Sequence, residues 1–203
     1  LDESTAAFSG FGGPKAMVES SEGGANMLMG IGINTGGYNY RAVGVKWMAN
    51  ADSYMNDVKF VGGHGGLWKP KPGVEEPRGR WNRPARISSP DNPVAASGMD
   101  LAWDNQYWSL WVTNNGGGTF KDIWTASTYA TNGFYANNTS TPGRIYAMSI
   151  EHHVRNEVRF SKVSNWKVYC MQTEEESRES TDCQPIEMDD CKDVTFANLY
   201  MFR

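Results

Sequence analysis

Between Ser149 and Phe160 the chain reads "SIEHHVRNEVRF", with two adjacent histidines, two glutamates and two arginines among apolar residues. These side chains can move protons, pair with anions or hold metals. Read as one extended strand, the stretch divides by its period of two. Met148, Ile150, Val154, Val158 and Phe160 fall on one face, and Glu151, His153, Arg155, Glu157 and Arg159 on the other. His152 then points into the core, and His153 points outward beside Glu151 and Arg155. Neighbouring histidines on a strand cannot converge on one ion, so no metal site is assigned. Glu151 and His153, one step apart on the outer face, could share acid and base roles. A charged, solvated strand face would account for the same residues. Asn156 marks a corner that divides the run into two strands.

A second carboxylate group follows in "MQTEEES", where Gln172, Glu174, Glu175 and Glu176 end an alternating segment. A solvated turn is the plain reading. If successive strands stack in parallel, however, Glu174 or Glu175 comes close to Glu151, and two neighbouring carboxyls can divide the labour of acid and base. Calcium is the one cofactor these oxygens could take. Aromatic residues gather nearby in sequence, in "MDLAWDNQYWSLWVTNNGGG" from Met99 to Gly118. Trp108, Leu110 and Val112 alternate there with Tyr107, Ser109 and Trp111, so one face is core and the other could offer flat rings to a ligand. Asp104 precedes this strand as a hydrogen-bonding group. The glycines are no phosphate loop, because no GKS/T follows them.

These groups need a scaffold, and 203 residues suffice for one sizeable core. The counts of 22 Gly, 8 Trp and 9 Tyr favour strands and corners over helices. No apolar pattern at helical spacing runs for three turns. A net charge of -4 argues against a nucleic-acid partner. No apolar run reaches the roughly 20 residues needed to span a bilayer, so no membrane partner is expected. Cys170, Cys183 and Cys191 carry no CxxC or HxxxH pattern for zinc. Cys183 and Cys191 could close a small disulfide in an exported protein, and "NNTS" supplies sequons at Asn137 and Asn138.

Four segments share a rhythm: "MNDVKFVGG", "GGTFKDIWTAS", "RNEVRFSKVSNW" and "CKDVTFANLYMF". Small or polar residues precede alternating pairs such as Val58/Phe60, Val158/Phe160 and Val194/Phe196. Phe60, Phe120, Phe160 and Phe196 are spaced as multiples of a coil of about 20 residues, which is the period of a solenoid. Alternating strands with Asn and Gly corners then specify an all-β, right-handed parallel β-helix. An antiparallel sandwich is the competing architecture. A single domain, 1–203, is expected, read as part of a longer helix completed by further chains or fragments. The proline-rich stretch 66–98 breaks the rhythm with six prolines, and its six Lys and Arg face three acidic residues. It reads as a basic insertion, with Trp68 and Trp81 as ring faces for a ligand.

"NDVKFVGGHGG", "GGGTFKDIWTAS", "NEVRFSKVSNWKVY" and "CKDVTFANLYMF" resemble the pectate-lyase-like superfamily, in particular bacterial β-helix proteins related to polygalacturonases and exo-β-1,3-glucanases. The likeness covers Gly30 to Phe202 apart from the insertion. "GGHGG" around His64 lacks a preceding pair of aspartates, so the family's catalytic residues are not carried over. The resemblance implies a secreted, extracellular or periplasmic protein acting on a polysaccharide or oligosaccharide. A glycoside hydrolase would use Glu151 with Glu174 or Glu175, with His153 beside them. Arg155, Asp104, Trp108, Trp111, Trp68 and Trp81 would then bind the sugar. A polysaccharide lyase on uronate chains, with His153 or Arg155 as base, and a non-catalytic glycan-binding or structural coil are the alternatives.

Overall fold

The computed structural model describes residues 1–2, 5–10, 12–36, 39–61, 106–126, 130–153, 155–175 and 184–203. The basic insertion 66–98 lies outside the described residues, as do Asp104, Trp68 and Trp81. Eleven strands follow one another: β1 (Lys15–Glu19), β2 (Met27–Ile33), β3 (Ala42–Trp47), β4 (Tyr54–Val61), β5 (Gln106–Val112), β6 (Gly118–Ala126), β7 (Ala130–Thr139), β8 (Gly143–Glu151), β9 (Asn156–Glu174), β10 (Gln184–Asp189) and β11 (Lys192–Phe202). One face stacks β1, β3, β5, β7, the first half of β9 and β10, all in parallel. The other stacks β2, β4, β6, β8, the second half of β9 and β11, again in parallel. Each turn of chain therefore lays one strand on each face and climbs by one strand spacing, about 4.8 Å. The result is a parallel β-solenoid of about five turns, all β in its described residues.

Stacked apolar columns hold the turns together. On the first face Val18, Val45, Leu110, Phe134, Val158 and Ile186 lie over one another. On the second face the matching column is Leu28, Met55, Phe120, Ile145, Val168 and Phe196. Burying each such side chain contributes roughly 1.5–3 kcal/mol against the entropy of ordering the coil. This column also gives the true pitch, because each of its steps Leu28 to Met55, Phe120 to Ile145, Ile145 to Val168 and Val168 to Phe196 is one full turn.

Every one of those turns is longer than the period suggested by the spacing of the phenylalanines. Phe120 and Phe196 do share a column, but Phe60 stands over Thr125 further along the second face, and Phe160 belongs to the first face. Similar Val/Phe pairs occupy three different places on the solenoid.

The second face is bent along a line of left-handed residues. Gly30, Asp57, Asp122, Ala147, Cys170 and Asn198 have φ of 65°, 50°, 50°, 56°, 57° and 58°, and the register stacks them directly. A left-handed residue inverts the side-chain alternation. Inward residues on either side are therefore three apart, as in Met55 and Val58 or Phe120 and Ile123, before period two resumes. Glycine, Asp and Asn accept this conformation readily, whereas for Ala147 it costs about 1–2 kcal/mol. Ala147→Asn is expected to raise stability by about 0.5–1 kcal/mol, read as a higher urea midpoint at unchanged slope. A second left-handed line, Asn138, Lys162 and Asp190, turns the chain from the first face to the second.

Among the described residues Cys191 is a free thiol whose Sγ donates to the Asp189 carbonyl at 3.3 Å, and Cys183, its expected partner, lies outside them. Among the described residues no helix is long and apolar enough to cross a membrane.

Candidate functional site

The outer side of β8 and β9 carries residues of like chemistry in matched rows. Arg144 lies beside Lys167, Tyr146 beside Tyr169, Ser149 beside Gln172 and Glu151 beside Glu174. The tyrosine rings stack at 5.4 Å with 19° between their planes. Arg144 and Lys167 are both exposed, and like charges placed side by side on a sheet destabilise it. β6 adds Trp124, in register with Ser149 and 39% exposed. Along the bend runs an open groove of about 380 Å³, lined among others by Asp57, Lys59, Asp122, Trp124, Ser149 and Gln172. Rings, hydroxyls, amides and carboxylates therefore share one surface, on strands rather than on loops.

The far end of this surface holds the reactive groups. Glu151 Oε1 accepts hydrogen bonds from Ser149 Oγ at 2.6 Å and from Gln172 Nε2 at 2.9 Å. These fix the carboxylate in place. Glu174 lies next to it, and His152 Nε2 is 3.3 Å from Glu174 Oε1. The His152 N–H donates to the Glu174 carbonyl at 2.9 Å, which ties the end of β8 to the end of β9. One oxygen from each carboxylate and one nitrogen of His152 all lie within 4.8 Å of one another. Three such groups could hold a divalent cation, and an imidazole in the set suits a zinc-like ion better than calcium.

The two histidines stand on the sides opposite to those the alternation predicts. His152 has φ 65°, and this one left-handed residue breaks the alternation in the turn, although Val158 and Phe160 stay inside as expected. His152 faces Glu174, while His153 is fully buried. Inside, His153 Nδ1 is 2.6 Å from Glu157 Oε2, and the His153 N–H donates to Glu157 Oε1 at 2.9 Å. Burial, with the charge of neighbouring His152 second, pushes the His153 ring down to about 3, so it is neutral at pH 7. A neutral ring that donates from Nδ1 leaves Nε2 as the acceptor.

The other predicted residues scatter. Glu175 follows Glu174 but shares the inner side with buried Thr173, and its Oε1 has no hydrogen-bond partner among the described residues. Burial raises its carboxyl above the usual range, with Arg203 opposing the shift. Arg155 lies at the turn into β9, half-buried, and its carbonyl accepts from the Gln184 N–H at 3.0 Å. Trp108 is 3% exposed and packs on Trp111 at 4.6 Å and Tyr135 at 4.8 Å, so its faces are already covered. Trp111 is half-buried, donates from Nε1 to Asn137 Oδ1 at 2.9 Å and carries Lys46 Nζ 5.5 Å from its ring.

The structure thus joins Glu151 to Glu174, and sets His153, Glu175, Arg155, Trp108 and Trp111 apart from them. His152, expected in the core, joins the surface instead, and Trp124, Tyr146 and Tyr169 enter it without having been singled out. Only the register could have found them, because Trp124 meets Ser149 across one whole turn of the solenoid, which no local pattern displays.

Fold and surface define a parallel β-solenoid with a polar, aromatic-lined outer groove. Comparison with models of known protein families and with curated protein sequences gives no match.

Proposed function

We propose that the outer surface of β6, β8 and β9 binds a carbohydrate chain and that Glu151 and Glu174 cleave a glycosidic bond in it by hydrolysis. The observation that carries this reading is the pair of carboxylates in adjacent register beside an exposed tryptophan and a hydroxyl- and amide-lined groove. The sequence resemblance to the pectate-lyase-like superfamily, with its polygalacturonases and exo-glucanases, supports it, and an extracellular or periplasmic setting is proposed with it. Trp124 would stack on a sugar ring, Ser149, Gln172 and Asp122 would meet hydroxyls, and Arg144 with Lys167 would receive an acidic group.

Glu151, held by its two donors, would attack the anomeric carbon. Glu174 would give its proton to the departing oxygen and take one back from the water that releases the sugar, with His152 as its hydrogen-bond partner. Carboxyls this close leave no room for a water between them, so retention of anomeric configuration is expected.

The test is product analysis of the protein on neutral and uronate polysaccharides. New reducing ends without ultraviolet absorbance are expected, and Glu151→Gln and Glu174→Gln should each lower kcat about 10²–10⁴-fold. Full activity in either variant sinks the assignment, and an absorbing unsaturated uronate product would replace hydrolysis with elimination. One observation favours a second reading, a glycan binder without chemistry: Glu151 already spends one oxygen on two internal hydrogen bonds. Sugar binding without any product would establish it.

A further inference from the structure

Glu157 is a fully buried carboxylate in a β-strand, and nothing in the surface chemistry described above uses it. Burying such a group costs several kcal/mol unless hydrogen bonds replace the lost water. Here one residue, four positions earlier, reaches both oxygens. His153 donates its backbone N–H to Oε1 at 2.9 Å and its ring Nδ1–H to Oε2, 2.6 Å away. Glu157 therefore clamps the turn between β8 and β9 by backbone and side chain together.

The clamp has a geometric consequence one residue upstream. With His153 drawn inside, His152 just before it takes the left-handed conformation, φ 65°, at a cost of about 1–2 kcal/mol. That conformation sends the His152 ring outward, where Nε2 reaches Glu174 Oε1 at 3.3 Å while its N–H bonds the Glu174 carbonyl. We infer that Glu157 is a positioning residue: through His153, from inside the solenoid, it holds His152 against Glu174 on the outer surface. The catalytic meaning of this arrangement rests on the hydrolytic reading of Glu151 and Glu174; the geometric claim does not.

The experiment follows the ring resonances of His152 by NMR in the full chain. In the wild type, Glu174→Gln should shift them, because the carboxylate contacts the ring. In the Glu157→Gln background the same substitution should shift them by less than half as much. His153→Gln, which removes the clamp's other half, should behave alike and serves if Glu157→Gln does not fold. An undiminished response in the folded variants overturns the inference. Loss of folding in both also overturns it, since the pair would then be structural only.

Kinetics on the same proteins separates the two claims. If hydrolysis is present, Glu157→Gln should lower kcat about tenfold at unchanged KM. A wild type without activity but with the NMR dependence intact removes hydrolysis and keeps the positioning role. Activity with no NMR dependence does the reverse.

Discussion

Lowering the pH from 6.5 to 4 is expected to remove folding stability through His153, by at most about 3 kcal/mol, since the Glu157 carboxylate 2.6 Å from the ring opposes the effect of burial. The ring is fully buried, and burial holds it near 3 against an ordinary value of 6.5. Between those values the unfolded chain takes up a proton that the native state refuses, so stability falls as pH falls, by at most about 1.4 kcal/mol per unit. Above pH 6.5 both states carry a neutral ring and the contribution is complete. Glu175 works in the other direction. Its raised carboxyl takes up a proton in the native state first, which favours folding on acidification. Urea unfolding of wild type and His153→Gln at pH 7, 5.5 and 4 reads the His153–Glu157 pair as a unit, because Glu175 is common to both. Parallel pH profiles for the two proteins would show that His153 is not the group that titrates.

Gly143→Ala is expected to cost about 3 kcal/mol, at the upper end of what overpacking does. Gly143 opens β8 directly over Trp166 of β9, and a methyl group there would sit 2.2 Å from Trp166 Cε2. The indole cannot step aside. It is fully buried, with Phe120 at 5.7 Å, Phe134 at 5.9 Å and Phe160 at 5.8 Å around it. Glycine is thus required for room rather than for backbone freedom. Trp166→Ala alone should cost about 3–5 kcal/mol by leaving a cavity. Combined, the two changes should cost about 2 kcal/mol less than their total, because the new methyl group fills part of that cavity. Denaturant midpoints of the three variants decide it. A single Gly143→Ala chain as stable as wild type, to within about 0.5 kcal/mol, would mean that Trp166 moves after all.

The solenoid was legible in the sequence because its cause is compositional and local. Alternating Val and Phe between Asn and Gly corners can bury one face only by stacking. Glu151 beside Glu174 was legible for the same reason, since parallel stacking must bring one strand end over the next. What escaped was every consequence of a left-handed residue in mid-strand. Nothing marks Ala147, Cys170 or His152 as left-handed, since none is Gly, Asn or Asp, yet the first two invert the alternation beyond them and the third breaks it in the turn. His152 and His153 therefore exchanged sides, and Glu157, placed on the outer face by period two, is buried. The expected pitch failed because chemically similar pairs recur on different faces. The surface aromatics of β5 looked available because a strand pattern shows which side a ring takes, but not what lies on it.

β9 runs for 19 residues through both faces without a break, and it pairs with β7 and β10 on one and with β8 and β11 on the other. Elsewhere among the described residues the two faces are joined only through corners. β9 is therefore the rigid rib of the shell: bending or shearing one face against the other must deform a single continuous strand hydrogen-bonded along both edges. The carboxylate pair sits at the end of that rib, so Glu174 is carried by the one described strand that runs through both faces, while Glu151, on β8, is paired to it.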